Sequence, residues 1–287
     1  MIPGSTFHGR NASPDLLDAE RILAALSPGG RRAIARLEIH AEIDSTNRYL
    51  MREAATGAPC GTLCLAECQT AGRGRLGRSW VSPFGANLYL SMLWRYKAPP
   101  AALGGFSLVA GAVVADVLRR IGAGGLALKW PNDLLWDRRK LGGMLLEVAG
   151  EAKGPSALVV GIGINVRMTP DHGRAIDQPW VDLAEVLGGS RVDRNTLAAL
   201  IVDALIDALE RFDREGLTPF LALWDGFDAF RGEQARILLA DQEIRGRVLG
   251  IASDGALRLE TADGERRFHA GDVSLRRECD GEGEGER

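Results

Sequence analysis

Cysteine is nearly absent: the chain of 287 residues has four, at Cys60, Cys64, Cys68 and Cys279. They form no CxxC pair, and His8, His40, His172 and His269 stand at no ligand spacing to them. That argues against a disulfide framework and a zinc site and leaves reduced, structural thiols. No apolar run approaches the roughly 20 residues of a membrane-spanning helix, and Met1 to Arg10 lacks the apolar core of a signal peptide. A cytoplasmic protein with no membrane partner is expected. Charge of one sign is lacking too, since 35 basic and 38 acidic residues leave a formal charge of -3. No general basic field draws the chain to nucleic acid, so any phosphate recognition must be local. Three tyrosines are too few for a stacking platform for single strands. What is present, 46% hydrophobic and 25% charged residues, suits one large domain plus a small one.

Along the chain, the polar segment from Met1 to Arg36 holds one short helical candidate, Pro14 to Leu26, ended by Gly29-Gly30. Leu37 to Ile43 alternates like a strand, and Asp44-Ser45-Thr46 caps a helix from about Asn47 to Ala55. Strands are expected at Thr62 to Glu67, Asn87 to Trp94, Leu126 to Trp130, Gly143 to Val148 and Ala157 to Val166, the last apolar enough to lie centrally in a sheet. Helices are expected at Leu103 to Ile121 and Asp193 to Glu215. From Glu233 to Arg277 the pattern changes to short strands broken by Asp254-Gly255 and Asp263-Gly264, which reads as a small all-β barrel. The Gly/Glu-rich end, 278–287, has nothing to bury and reads as a disordered tail.

The most informative segment is Gly72-Arg73-Gly74-Arg75-Leu76-Gly77-Arg78. Its glycines let backbone approach a ligand, and its arginines supply charged forks for phosphate or carboxylate. It matches G-x-G-x-x-G, but a dinucleotide site needs a helix straight after the loop and an acid about 20 residues on. Ser82-Pro83-Phe84-Gly85 breaks any helix, and Lys97 to Ala102 offers no acid. A loop this rich in Gly and Arg buries little and is expected to be disordered until a ligand arrives. Lys129-Trp130-Pro131-Asn132-Asp133 gathers a cation, an indole, a rigid turn and two polar side chains, and Lys140 precedes Gly142-Gly143. Taken alone, Pro-Asn-Asp is ordinary turn chemistry, Lys140 a solvated lysine and Ser45-Thr46 a helix cap.

Together, Asp44 to Asn47, Gln69 with Gly72 to Trp80, Ser82 to Ser91, Lys129 to Gly143, Gly161 to Asn165 and Ser274-Leu275-Arg276 resemble, in order, the biotin protein ligases, that is, biotin-[acetyl-CoA-carboxylase] ligases. The resemblance implies an α+β fold: a mixed sheet flanked by helices, of the class II synthetase type, plus a C-terminal SH3-like barrel. The implied division is an N-terminal arm over 1–36, a catalytic region over 37–232, the barrel over 233–277 and the tail. The implied activity converts biotin and ATP to biotinyl-5'-AMP and passes biotin to a lysine of a biotin carboxyl carrier protein, with Mg2+ offsetting phosphate charge. By the same resemblance Ser45, Thr46, Asn47 and Gln69 hold the ureido ring, and Arg73, Gly74, Arg75, Lys140 and Gly143 complete the biotin site. Arg75, Arg78, Trp80 (against adenine), Asn132, Lys140, Asn165 and Arg276 serve the nucleotide. Gly143, Gly161 and Gly163 let ligand lie close to backbone. Catalysis falls to Lys140, Arg73 and Asp133, the last assisting the incoming lysine. Lipoate-protein ligase is the nearest alternative, and a non-catalytic binding module is another. Some members of the family add an N-terminal winged helix-turn-helix and repress transcription; one helix candidate within 36 residues predicts a ligase without DNA binding. Edge strands are left to pair across a homodimer or to stay exposed.

Overall fold

The computed structural model describes residues 16–239, 242–270 and 274–277. Seven strands, β1 (Arg36–His40), β2 (Thr62–Ala66), β3 (Leu88–Tyr96), β4 (Leu126–Lys129), β5 (Asp133–Trp136), β6 (Arg139–Gly150) and β7 (Ser156–Ile164), form one sheet in the order β1-β2-β3-β7-β6-β5-β4. Only β1 and β2 run parallel; every other neighbour is antiparallel. β7, buried throughout except at Gly163, takes the central place its apolar run suggests.

The helices are α1 (Ala19–Ala25), α2 (Pro28–Ala33), α3 (Thr46–Ala55), α4 (Phe106–Arg120), the single turns α5 (Pro170–Gly173) and α6 (Leu183–Val186), α7 (Arg194–Glu215) and α8 (Thr218–Asp225). Strand alternation sorts the two faces. Leu63, Leu65, Leu90, Met92, Leu158 and Val160 join the main core with α4, α7 and α8, while Cys64, Leu93 and Val159 turn the other way, against Leu50 and Ala54 of α3. The face covered only by α3 is the one left to build a cleft.

Several expectations change. Two short helices stand where one was expected, and Gly29-Gly30 lie inside α2, because Ser27 caps it by accepting from Gly30 N and Pro28 suits its first turn. Pro14, with the rest of the N-terminal arm to residue 15, the tail and Cys279 fall outside the described residues. The stretch Pro100–Arg120 is, after all, long and apolar enough by composition to cross a membrane, but 67% of that window is buried inside the protein, where α4 forms the centre of the core. Strand β5 and helix α8 were not anticipated. β5 makes a tight hairpin with β6 through Asp137 (φ 46) and Arg138 (φ 62).

The C-terminal strands β8 (Gln234–Leu238), β9 (Glu243–Ile251), β10 (Leu257–Thr261), β11 (Gly264–Phe268) and β12 (Ser274–Arg277) form an antiparallel sheet in the order β11-β10-β9-β8-β12. Its Ile237, Val248, Leu257 and Leu275 belong to the same core cluster as Leu217 and Trp224. The Asp254-Gly255 turn docks on the large sheet, where Trp130 Nε1 donates to Gly255 O at 3.2 Å.

Candidate active site

The cleft begins where β1 and β2 run out. Beyond them the chain keeps pairing, with Ile43 N on Cys68 O, Thr70 N on Ile43 O and Ala71 N on Asp44 O, and this sets Gln69 beside the N-terminus of α3. Ser45 caps that helix by accepting from Arg48 N at 3.4 Å. Gln69 Oε1 accepts from Thr46 N (2.9 Å) and Thr46 Oγ1 (3.2 Å), and Gln69 Nε2 donates to Ser82 Oγ (3.2 Å). Ser91 Oγ lies 2.7 Å from Thr46 Oγ1 and 2.6 Å from Asn47 Oδ1. Asn47 Nδ2 donates to Leu145 O and to Glu147 Oε2, both at 3.0 Å. Ser45, Thr46, Asn47 and Ser91 are buried, so this is a fixed, desolvated set of donors and acceptors with defined directions.

Glycine makes the floor. Tyr89, Gly163, Gly143 and Asp133 stand in register across β3, β7, β6 and β5, and Ser91, Gly161 and Leu145 stand in the next such row. A Cβ on Gly161 would lie 2.1 Å from Asn47 Oδ1, and one on Gly163 2.8 Å from the Trp80 ring. These two glycines therefore make room first for the protein's own Asn47 and Trp80, a closer reason for them than the ligand contact expected from sequence. The Trp80 ring in turn lies 5.5 Å beneath the Lys140 ammonium.

Lys140 owes its direction to an irregularity. The β5–β6 register shifts between Leu134 and Leu135, so Lys140 pairs with Leu135 while Gly142 pairs with Leu134 and Gly143 with Asp133. The extra residue, Leu141, goes into the core, and Lys140 comes up on the same side as Gly143 and Asp133. There Lys140 Nζ is 2.8 Å from Asp133 Oδ1, with both side chains mostly shielded (16% and 19% exposed).

The Gly/Arg loop follows a path closed by its own backbone. Gly74 N donates to Arg78 O, Trp80 N donates to Gly72 O, Arg75–Gly77 forms a 3-10 turn with Leu76 at φ 55, and Arg73 Nη1 is 3.4 Å from Glu147 Oε1. A hairpin closed by its own backbone needs little side-chain burial.

Most of these groups, though not Ser82, Tyr89 or Glu147, line one cleft of ≈ 530 Å3. Every residue assigned to a site from sequence is on its wall: Ser45, Thr46, Asn47, Gln69, Arg73, Gly74, Arg75, Arg78, Trp80, Asn132, Asp133, Lys140, Gly143, Asn165 and, from the C-terminal sheet, Arg276. Among the described residues no cluster of three or more His, Cys, Asp or Glu is arranged to hold a metal.

Residues 40–165 match the Biotin/lipoate A/B protein ligase family, which leaves the two acids undecided. Residues 231–276 match the Biotin protein ligase C terminal domain. The chain is 44% identical over 261 residues to the bifunctional ligase/repressor BirA of Escherichia coli, a match covering 91% of this chain and 78% of that protein. It belongs to the biotin protein ligase family. The biotin--[acetyl-CoA-carboxylase] ligase of Paracoccus denitrificans is 34% identical, with 81% of this chain and 98% of that protein covered. Among solved structures, the Aquifex aeolicus biotin protein ligase in complex with biotin and ATP superposes with a TM-score of 0.72 at 30% identity, over 85% of this chain and all (100%) of that one.

In this ligase some assigned side chains have other work. Asn132 Nδ2 donates to Met144 O (2.7 Å), and Asn165 Nδ2 to Val181 O (3.1 Å) and Lys140 O (3.4 Å). Both amides steady the backbone that carries Lys140 and the glycine floor. Sequence reasoning assigned no role to Ser91, Glu147 or Trp180. Trp180 lines the cleft, seated over Gly173, where a Cβ would lie 2.1 Å from the indole, and is fixed by the Lys140–Trp180 bridge. The usable signal for Ser91 and Glu147 is inward register on β3 and β6, which requires knowing which strands pair.

Proposed function

We propose that this chain activates biotin with ATP to biotinyl-5'-AMP and transfers the biotinyl group to one lysine of a biotin carboxyl carrier protein, an acetyl-CoA carboxylase subunit. The observation that carries this is the opposition, across one cleft, of the buried network Thr46–Gln69–Ser91–Asn47 and the cations Arg73, Arg75, Arg78 and Lys140. A ureido ring presents two N–H donors and one carbonyl acceptor, which such a network satisfies. A carboxylate and a triphosphate require the cations.

A carboxylate is too poor an electrophile for an amine, so the nucleotide must activate it. The biotin carboxylate oxygen attacks the α-phosphorus and pyrophosphate leaves, giving the mixed anhydride. Lys140 offsets the charge that develops on carboxylate and α-phosphate, and Arg73, Arg75 and Arg78 hold biotin carboxylate and phosphates while Gly74 and Gly143 give close access. Trp80 and Trp180 supply aromatic surface for the ligand rings, and Asn132, Asn165 and Arg276 support the nucleotide end. In the second half-reaction the carrier lysine attacks the acyl carbon and AMP leaves. Asp133, released as Lys140 turns to the phosphate, assists deprotonation or orientation of that lysine. Mg2+ accompanies ATP: it typically binds through one or two carboxylates plus phosphates, and Asp133 and Asp177 are carboxylates on the cleft wall. It would supply further charge neutralisation.

The same reading divides the ligase into an N-terminal arm over 1–36, a catalytic region over 37–232, a C-terminal SH3-like unit over 233–277 and a tail beyond. It places the protein in the cytoplasm, with no DNA partner, in keeping with a formal charge of -3. A homodimer would have the free edge of β1 available for pairing.

The test is biotin-dependent exchange of labelled pyrophosphate into ATP, with lipoate in parallel. Exchange with biotin alone, lost in Lys140→Ala, is the expected result. Exchange with lipoate alone would keep the chemistry and overturn the substrate; no exchange with either would leave a binding module.

A further inference from the structure

Ser91 has two close polar neighbours and one proton to share between them. Its Oγ lies 2.6 Å from Asn47 Oδ1 and 2.7 Å from Thr46 Oγ1. All three side chains are buried and stand on the cleft wall. Asn47 Nδ2 donates to Leu145 O and to Glu147 Oε2, both at 3.0 Å, which fixes the end of the amide that carries the oxygen. An amide oxygen has no proton, so the 2.6 Å contact uses the proton of Ser91. The 2.7 Å contact must then use the proton of Thr46. The other neighbour of Thr46 Oγ1, Gln69 Oε1 at 3.2 Å, already accepts from Thr46 N at 2.9 Å. Protons therefore run one way, from Thr46 to Ser91 to Asn47.

Resting on the reading of this cleft as the biotin site, we infer that Ser91 is a positioning residue that sets which kind of ring atom Thr46 accepts. Ser91 gives its own proton to Asn47 and takes that of Thr46, so Thr46 Oγ1 turns only lone pairs toward a ligand. A hydroxyl is ordinarily free to donate or to accept, and this one has lost that choice. A ring N–H opposite Thr46 is matched. A ring oxygen in the same place meets a second acceptor in a buried setting, where an unmatched polar group is costly. The direction is set two residues from the ligand, because Asn47 can take no other part while Leu145 O and Glu147 hold its amide nitrogen. Ser91 thus determines specificity for an N–H ring through Thr46, without itself supplying the contact.

The probes are biotin and its two cyclic carbamate isomers, each with oxygen in place of one ring N–H, compared by kcat/KM in pyrophosphate exchange. The parent should prefer biotin to one isomer by about tenfold or more, the effect of one unmatched buried polar group. Ser91→Ala frees the Thr46 hydroxyl to donate to the ring oxygen and should cut that preference by at least about threefold. A merely structural loss would weaken biotin and isomer alike and leave the preference where it was. Thr46→Val removes the acceptor itself and should cut the same preference, and adding Ser91→Ala to it should change the preference no further. Ser91→Cys, a weak donor and weak acceptor, should fall between parent and Ser91→Ala, and it decides the matter if Ser91→Ala does not fold. An unchanged preference in the Ser91 variants, a further fall in the double variant, or a parent indifferent to both isomers would each overturn the inference and leave the functional reading standing. No biotin-dependent exchange in the parent would instead overturn the functional reading, and the inference with it.

Discussion

A methyl group on Gly161 would sit 2.1 Å from Asn47 Oδ1, 2.7 Å from its Cγ and 3.0 Å from its Nδ2. The whole amide, not one flexible atom, is in the way. Asn47 is held by Ser91, Leu145 O and Glu147, so it cannot yield without leaving buried polar groups unpaired, at about 1–3 kcal/mol each. Gly161→Ala is therefore expected to fold with a lowered melting temperature and to lose biotin-dependent pyrophosphate exchange by at least about tenfold, since 1.4 kcal/mol is a tenfold change. Parental exchange in a correctly folded Gly161→Ala would mean that the Asn47 amide takes no part in holding biotin.

At the scale of elements, what sequence pattern revealed was periodicity and capping. The apolar run of β7, the amphipathic α7, the Asp-Gly turns of the C-terminal sheet and the Ser45 cap of α3 are local signals, and the structure contains each of them. What stayed hidden was relational. β5 is only four residues long, and its pairing with β6 shifts at a bulge. Simple alternation from Gly143 would have turned Lys140 toward the core, and the bulge turns it to the cleft. The same holds for Glu67 and Arg194, which look like surface residues in the sequence. In the structure Arg194 Nη1 is 2.8 Å from Glu67 Oε2 with side chains 3% and 5% exposed. Leu17 N donates to Glu67 Oε1 and Arg194 Nη1 to Asn87 O, so the start of α7, the end of β2, the entry to β3 and the chain ahead of α1 meet at one buried pair. Arg194→Met leaves an uncompensated buried carboxylate, and urea unfolding should show a loss of about 3–5 kcal/mol. The double variant Glu67→Gln/Arg194→Met should lose less than the two single losses added together. Additive losses would mean the two side chains do not depend on each other.

Across the whole molecule, burial and pairing set how the ligase meets alkaline pH. The chain has three tyrosines. Tyr49 donates to Glu38 Oε2 at 2.6 Å, and this hydrogen bond, with burial and the Glu38 charge, pushes its pKa up to about 12. Tyr89, donating to Pro83 O, and Tyr96, donating to Leu209 O, are pushed up mainly by burial. Each folded pKa is raised above the unfolded value of 10.0. The associated stability is therefore complete below pH 10 and drains away as pH rises through the folded values, beginning with Tyr49 between about 10 and 12. The three anchor different parts of one fold: Tyr49 ties α3 to β1, Tyr89 lies in β3 beneath the loop that leads from Trp80, and Tyr96 ties the far end of β3 to α7. Tyrosinate absorbance should accordingly stay flat as the native protein is taken through pH 10, then rise in one step together with loss of the far-ultraviolet helical signal. The denatured chain should titrate all three near 10. A reversible native tyrosinate signal near pH 10, with helical structure intact, would mean that at least one of these hydroxyls is open to water and that its hydrogen bond does not persist in solution.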